Sequence, residues 1–320
     1  MPKEEVGYVK GILKHTIAEK QEHHKTISYS QFSMYSTCQK QWELKYLQGH
    51  KDFQYSIHLL FGTAFHETLQ TYLYNVYENG PGQADKMDLH ALLREQMTKE
   101  YIKAMEEQVG EVFTDQQQME EFYQDGITIL SYIKRHRRKY FSTKGYELIA
   151  IEMPIYRQAS IHNDVVHMNG FVDVILRDKV SGKYIIIDIK TSTAGWNKYM
   201  KADKKKISQL IIYKKYFAQQ IGCSEKDIDV QYFIVRRKIP EDSMYPIKPV
   251  SEFSPASGKP TVNKVTMDVD TFVKSAFNAD GTYNTERNYI AIKGKAGKNC
   301  KWCPFKDDEG KCPKKERIVE

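Results

Sequence analysis

Asp188 and Lys190 stand two residues apart in IIIDIKTS (185–192), where four isoleucines mark a fold interior and charged side chains are almost never left unpaired. In a strand the two project from one face. A further carboxylate, Asp173, lies in GFVDVI (170–175), and a short turn would bring its strand beside Asp188. Paired carboxylates are the hard oxygen ligands that Mg²⁺ or Mn²⁺ takes, and the cation usually keeps waters and a substrate phosphate as well. A bound ion can acidify water and polarise a phosphoryl oxygen, and a nearby ammonium can stabilise the negative charge that develops. The pattern predicts phosphodiester hydrolysis. A buried Asp–Lys ion pair, with Asp173 merely exposed in its strand, is the other reading of so short a motif.

The elements that must position these residues segregate along the chain. Helices are expected first: 28–47 opens with capping-type serines, and 61–77 places Phe61, Ala64, Phe65, Leu69, Tyr72, Leu73 and Val76 on one stripe. A third is expected from about 115 to 140, ending in the basic run KRHRRKY (134–140). Strand patterns follow at 146–158, 164–178 and 183–192, the last two joined by the turn-rich KVSG, which predicts a β-meander. A helix at about 204–220 and a strand at 229–239 come next. The Pro- and Ser-rich stretch 240–264 reads as a loop before a short helix and a Cys-rich tail.

The chain has 320 residues, 41% hydrophobic and 12% aromatic, enough for a sizeable core in one large domain or two smaller ones. There is no internal repeat, no low-complexity segment, no secretory h-region at the start and no apolar run of the roughly 20 residues that span a bilayer. A cytoplasmic protein with no membrane association is the expectation. The net charge of +7 favours an anionic partner.

Several residues sit in a telling order. Gly62 and His66 are four apart on an early helix. Gly170 and Asp173 lie on a strand, Asp188 and Lys190 on the next, and Gln209 and Tyr213 are four apart on the following helix. Each pair alone is an ordinary feature of a helix edge or boundary. The order G-x-x-x-H, G-x-x-D, D-x-K, Q-x-x-x-Y resembles the RecB-like branch of the PD-(D/E)XK nuclease superfamily. The resemblance implies that Asp173 and Asp188 bind the metal with the carbonyl of Ile189, and that His66 contacts or gates it. It makes Lys190 the catalytic lysine, positioned with the substrate backbone by Gln209 and Tyr213. Glu152, in AIEMPI, occupies a strand where relatives often carry an acid. The implied fold is α+β, a mixed central sheet flanked by helices.

Cys300, Cys303 and Cys312 form a C-x2-C-x8-C tail, and Cys38 stands far upstream. Clustered cysteines suit zinc or an iron–sulfur cluster, and spacing does not separate the two. In the family that this chain resembles, one early cysteine joins three late ones around a [4Fe–4S] cluster, as in AddB-type recombination nucleases, the nucleases of CRISPR spacer acquisition and related phage enzymes. Cys38 fits that place, and Cys223 reads as a small buried hydrophobe.

The run 197–206, with Lys198, Lys201, Lys204, Lys205 and Lys206, could meet DNA phosphates beside the acids, as could 134–140; a solvated loop and a helix C-terminus are the alternatives. Trp302 and Phe305, between the cluster cysteines, could stack on bases or pack in a core. Four segments are expected: an N-terminal extension (1–27), a helical region carrying Cys38 and His66 (28–145), the nuclease core (146–280) and the Cys-rich segment (281–320). The expected activity is a Mg²⁺- or Mn²⁺-dependent deoxyribonuclease. An exonuclease is favoured because no separate sequence-reading module is visible. The implied setting is recombination, repair or phage DNA processing, with DNA bearing a free end or single-stranded region as substrate and a helicase or recombination protein as possible partner. An endonuclease, or a scaffold with an idle site, is the alternative.

Overall fold

The computed structural model describes residues 7–50, 54–107, 112–240 and 244–319. Residues 1–6, which fall within the expected N-terminal extension, and 241–243, within the expected loop, lie outside them. In chain order the first elements are β1 (Tyr8–Val9), α1 (Gly11–Lys14), β2 (Lys25–Ile27), α2 (Tyr29–Thr37) and α3 (Gln39–Trp42), which runs into a π-turn at Glu43–Leu47. The helical stretch continues with α4 (Ile57–Glu78), α5 (Pro81–Ala84), α6 (Leu89–Glu107), α7 (Gln116–Arg135) and α8 (Arg137–Tyr140). The meander is β3 (Tyr146–Ser160), β4 (Asn163–Asp178) and β5 (Tyr184–Ser192). After it come α9 (Lys198–Lys201), α10 (Lys204–Ile221), β6 (Ile228–Arg236), β7 (Val250–Phe253) and α11 (Lys259–Ala276).

The strands form one mixed, mostly antiparallel sheet in the order β1-β3-β4-β5-β6-β7, with β2 also paired to β4. The β5–β6 and β2–β4 pairs are parallel. Each face is covered by helices. One apolar layer joins Leu210, Ile211 and Phe217 of α10 and Val262, Val269 and Phe272 of α11 to Ile175 and Ile186 of the sheet. The other joins Phe61, Phe65, Leu69 and Leu73 of α4, with α6 and α7, to Val174, Ile187 and Ile189. Truncating a fully buried residue such as Leu69 to Ala costs about 2–5 kcal/mol in layers of this kind.

Local chemistry starts the helices that carry the site. The hydroxyl of Ser56 accepts from the Leu59 amide at the head of α4, and Asp203 accepts from the Lys205 amide at the head of α10. Gly222 ends α10 in the left-handed conformation that suits glycine.

Three expectations need correction. The helix expected over 28–47 breaks at Cys38, whose backbone is extended, with φ −159° and ψ 110°. The stretch 240–264 contains β7, which pairs with β6, and the start of α11. Its prolines and serines hid both: Pro260 sits in the first turn of α11, where a missing N–H costs nothing. That last helix is also long, 18 residues, rather than short. Among the described residues no helix is long and apolar enough to cross a membrane.

Candidate active site

The site lies where two strands part. β3 pairs with one edge of β4 along nearly its whole length. The other edge carries β5 at Val174–Arg177 and β2 at Val166–Met168, which leaves 169–173 between them. Pairing with β5 ends at Val174↔Ile187, and Asp173 is the next residue of β4. Its Oδ2 accepts the Ile189 N–H at 2.7 Å, so a carboxylate takes over where the ladder stops. Asp188, Ile189 and Lys190 continue beside β6, opposite Tyr232, Phe233 and Ile234.

Side-chain alternation also slips here. On β3, Ile151 packs into the α4 layer and Met153 into the α10 layer, although two-residue spacing should place both on one face. On β4, Val174 and Val172 divide the same way. The residues between them are Glu152 and Asp173. Glu152 is buried with φ +51°, a left-handed backbone uncommon for a side-chain-bearing residue and a form of strain that clusters at functional sites.

Around this fork the expected residues converge. Lys190 Nζ stands 2.7 Å from Asp188 Oδ2, and Asp188 is only 1% exposed. His66 Nδ1 of α4 lies 3.7 Å from Asp173 Oδ2. One turn on, Gln70 donates to Glu152 Oε1 at 2.7 Å and to the Asp173 carbonyl at 3.2 Å. From the opposite layer Gln209 Nε2 donates to the Tyr213 hydroxyl at 3.3 Å. The glycines of the motifs explain themselves by space. A Cβ on Gly170 would come 3.3 Å from the Tyr213 ring, and one on Gly62 would come 3.2 Å from the Thr191 hydroxyl.

Charge follows from burial. Loss of water pushes the Asp188 carboxyl up to about 6, against the opposing pull of Lys190 and with Asp173 adding to the rise. Burial works against the Lys190 ammonium, but Asp188 and Asp173 outweigh it and hold its pKa above the ordinary value. Burial, then Asp188, raises the Tyr213 phenol, so it remains a neutral donor.

Gln70 and two lysines were not anticipated from sequence. A cleft of about 540 Å³ is lined by His66, Gln70, Glu152, Ile189 and Lys190 on one side and by Lys99 and Lys103 of α6 on the other. A glutamine on an apolar helix gives no signal of its own, and α6 had no clear stripe from which to place its lysines. The other basic runs divide. Arg137 is committed to structure, donating to Asp85 and, at 3.0 Å, to the Tyr72 hydroxyl. Lys198, Lys201 and Lys206 lie over Tyr199, Phe253 and Trp196, and Lys204 and Lys205 open α10. The run 198–206 follows β5 but does not line the cleft.

The four cysteines meet. Cys38, Cys300, Cys303 and Cys312 line one small cavity with Leu44, Phe305 and Arg317. Burial raises the Cys303 thiol, and the other three cysteines add to the rise. Cys223 stands apart, half-buried against the α10 layer. Phe305 is 6% exposed and packs in the small core beneath the cavity, whereas Trp302 is 84% exposed. Among the described residues no group of three or more His, Cys, Asp or Glu side chains is set to hold a metal ion. At the fork the acids are engaged, Asp188 by the Lys190 ammonium and Asp173 by the Ile189 amide.

The profile of the PD-(D/E)XK nuclease superfamily matches residues 26–307, and the chain belongs to that superfamily. Membership makes it a nuclease-type phosphodiester hydrolase whose expected substrate is DNA. No curated protein matches the chain.

Proposed function

We propose that the chain is a Mg²⁺- or Mn²⁺-dependent deoxyribonuclease of the RecB-like branch that degrades DNA from a free end. The observation that carries this reading is the strand fork, where Asp173 and Asp188 lie directly behind Ile189 and Lys190, which with Glu152 and His66 line a cleft between α4 and α6. The donor set suits a hard cation. Asp188 Oδ2 is buried with no hydrogen-bond donor aligned on it, and its charge is opposed chiefly by the Lys190 ammonium, with a smaller share from His66. Asp173, Asp188 and the Ile189 carbonyl are the proposed ligands, with His66 beside them. When bound, the cation supplies an acidified water and a polarised phosphoryl oxygen.

The chain's own residues do the rest. Lys190, cationic and held by Asp188, stabilises the negative charge that develops on the attacked phosphate. Tyr213, neutral and hydrogen-bonded by Gln209, positions the backbone of the strand. Gln70 holds Glu152 in the site. Lys99 and Lys103 on the far wall meet phosphates approaching the acids. A walled cleft favours a strand that enters by its end over a duplex gripped from the side.

Cys38, Cys300, Cys303 and Cys312 are proposed to hold a [4Fe–4S] cluster, supported by their convergence on one cavity from opposite ends of the chain. The test of the activity is incubation of end-labelled linear DNA and covalently closed circles with Mn²⁺ or EDTA. Mn²⁺-dependent loss of linear DNA with circles intact is expected. Cutting of circles would make the protein an endonuclease, and binding without cutting would make it a scaffold.

A further inference from the structure

From Arg287 to Lys306 the chain carries Lys293, Lys295, Lys298 and Lys301 and no carboxylate. Just beyond, Lys306, Lys311 and Lys314 pair with Asp307, Asp308 and Glu309 at 4.0, 2.9 and 3.5 Å. Lys295, Lys298 and Lys301 are exposed, and none of them has an ion-pair partner among the described residues. Trp302 projects from the same turn. It is the most exposed of the three tryptophans, since Trp42 is fully buried and Trp196 packs on Tyr232.

The turn is a fixed platform. The Asn299 amide donates to the carbonyls of Thr37 at 3.0 Å and Ile292 at 3.2 Å, and the Ile292 N–H reaches Cys38 Sγ at 3.3 Å. Phe305, three residues beyond Trp302, anchors the segment in its own core, its ring centroid 6.0 Å from that of His50. Beyond His50 the chain leads to Tyr55 and His58, which line the active-site cleft.

We propose that this face binds single-stranded DNA, with Trp302 stacking on a base and Lys295, Lys298 and Lys301 meeting the flanking phosphates. Exposed cations with no ion-pair partner among the described residues, of which Lys301 lies over one face of the Trp302 ring at 5.1 Å, call for a polyanion. The exposed indole selects among polyanions. Every nucleotide offers a flat π-face, but a duplex buries those faces in its own stack, so a single strand is the ligand that uses both features. An acidic peptide would meet the lysines and leave the indole idle. The proposal rests on DNA being the substrate and adds a contact outside the cleft, one that would hold a strand while its end is cut.

The test uses the full-length protein in EDTA, with fluorescence anisotropy of labelled oligothymidylate. Trp302→Ala is expected to weaken binding about 5- to 150-fold, the range of one lost base stack, with Trp302→Phe recovering most of it. Lys298→Glu with Lys301→Glu should flatten the salt dependence. A strand of the same length built of abasic sites should bind the wild type as weakly as oligothymidylate binds Trp302→Ala. Photo-crosslinking with 5-iodouracil should label Trp302. Should Trp302→Ala fail to fold, the lysine variants and the abasic comparison on the wild type carry the test.

Equal affinity of the wild type for abasic and thymidylate strands, or an unchanged affinity in folded Trp302→Ala, would overturn the proposal. So would displacement of the strand by polyglutamate at an affinity indifferent to Trp302, which would assign the face to an acidic protein. These readouts need no cleavage. Persistent cleavage by Asp188→Ala would refute the active-site reading and leave this one standing.

Discussion

Lys190 is held by Asp188, the acid beside which it is proposed to work. Its ammonium lies 2.7 Å from Asp188 Oδ2, and that contact both keeps the lysine charged and shields a carboxylate with almost no access to water. Lys190→Ala should therefore lower turnover much more than it lowers Mn²⁺ affinity, since an ammonium repels the cation but stabilises the transition state. Single-turnover rates beside a Mn²⁺ titration check this, and a small rate effect with a large loss of metal binding would show the role to be wrong. Gln70 offers a second test, because its amide donates to the buried carboxylate of Glu152. Gln70→Ala should destabilise the fold by about 1–3 kcal/mol in urea unfolding, the cost of removing a donor from a buried polar group. The two residues differ in legibility. Asp188 and Lys190 were readable because charges inside an isoleucine run demand an explanation. Gln70 was not, because its role depends on Glu152, 82 residues away, turning inward at a left-handed backbone position.

The fork exists because β2 and β5 share one edge of β4 without filling it. β2 is only three residues long and is helped by side chains. His24, just before it, stacks on His167 of β4 with ring centroids 3.8 Å apart and 12° between planes, and its Nδ1 lies 2.7 Å from the Tyr156 hydroxyl. Burial, then the neighbouring His23, lowers the His24 pKa; burial also lowers that of His167, with His24 adding, while Asp164 pulls both upward. Because the folded values lie below the ordinary 6.5, the unfolded chain binds these protons more readily. The stability contributed by the stack is complete above that pH and is lost as pH falls. Between pH 7 and 5 the wild type should therefore lose more stability than His167→Phe, measured by urea unfolding at each pH; parallel losses would show the stack to be electrostatically silent. The meander, α4 and α10 were legible in the sequence because their apolar periods are long and regular. β7 was not, since four residues within a Pro- and Ser-rich stretch carry no period, and the break at Cys38 was hidden because helical spacing continues on both sides of it.

Across the whole molecule, the cysteine cavity ties the N-terminal helices to the C-terminal segment. Cys38 ends α2, and its partners lie beyond the last helix, so a cluster bridging them closes nearly the entire chain into one loop. Cross-linking so long a loop restricts the unfolded ensemble, and cluster binding by the folded state adds its own stabilisation. Cys303→Ser is expected to yield a colourless, protease-sensitive protein. Iron and sulfide analysis after anaerobic purification checks it, and stoichiometric zinc without iron in the wild type would replace the proposed cluster. The cysteine set was legible by type, but sulfur spacing does not decide between zinc and an iron–sulfur cluster. The central claim is that the parting of β4 from β5 builds a metal-dependent phosphodiester site around Asp188. It is tested most directly by measuring Mn²⁺-dependent degradation of end-labelled linear DNA by Asp188→Ala, with DNA affinity measured in parallel. Cleavage should vanish while affinity stays within a few-fold of wild type, since the basic surfaces remain. Undiminished cleavage by that variant would contradict the site.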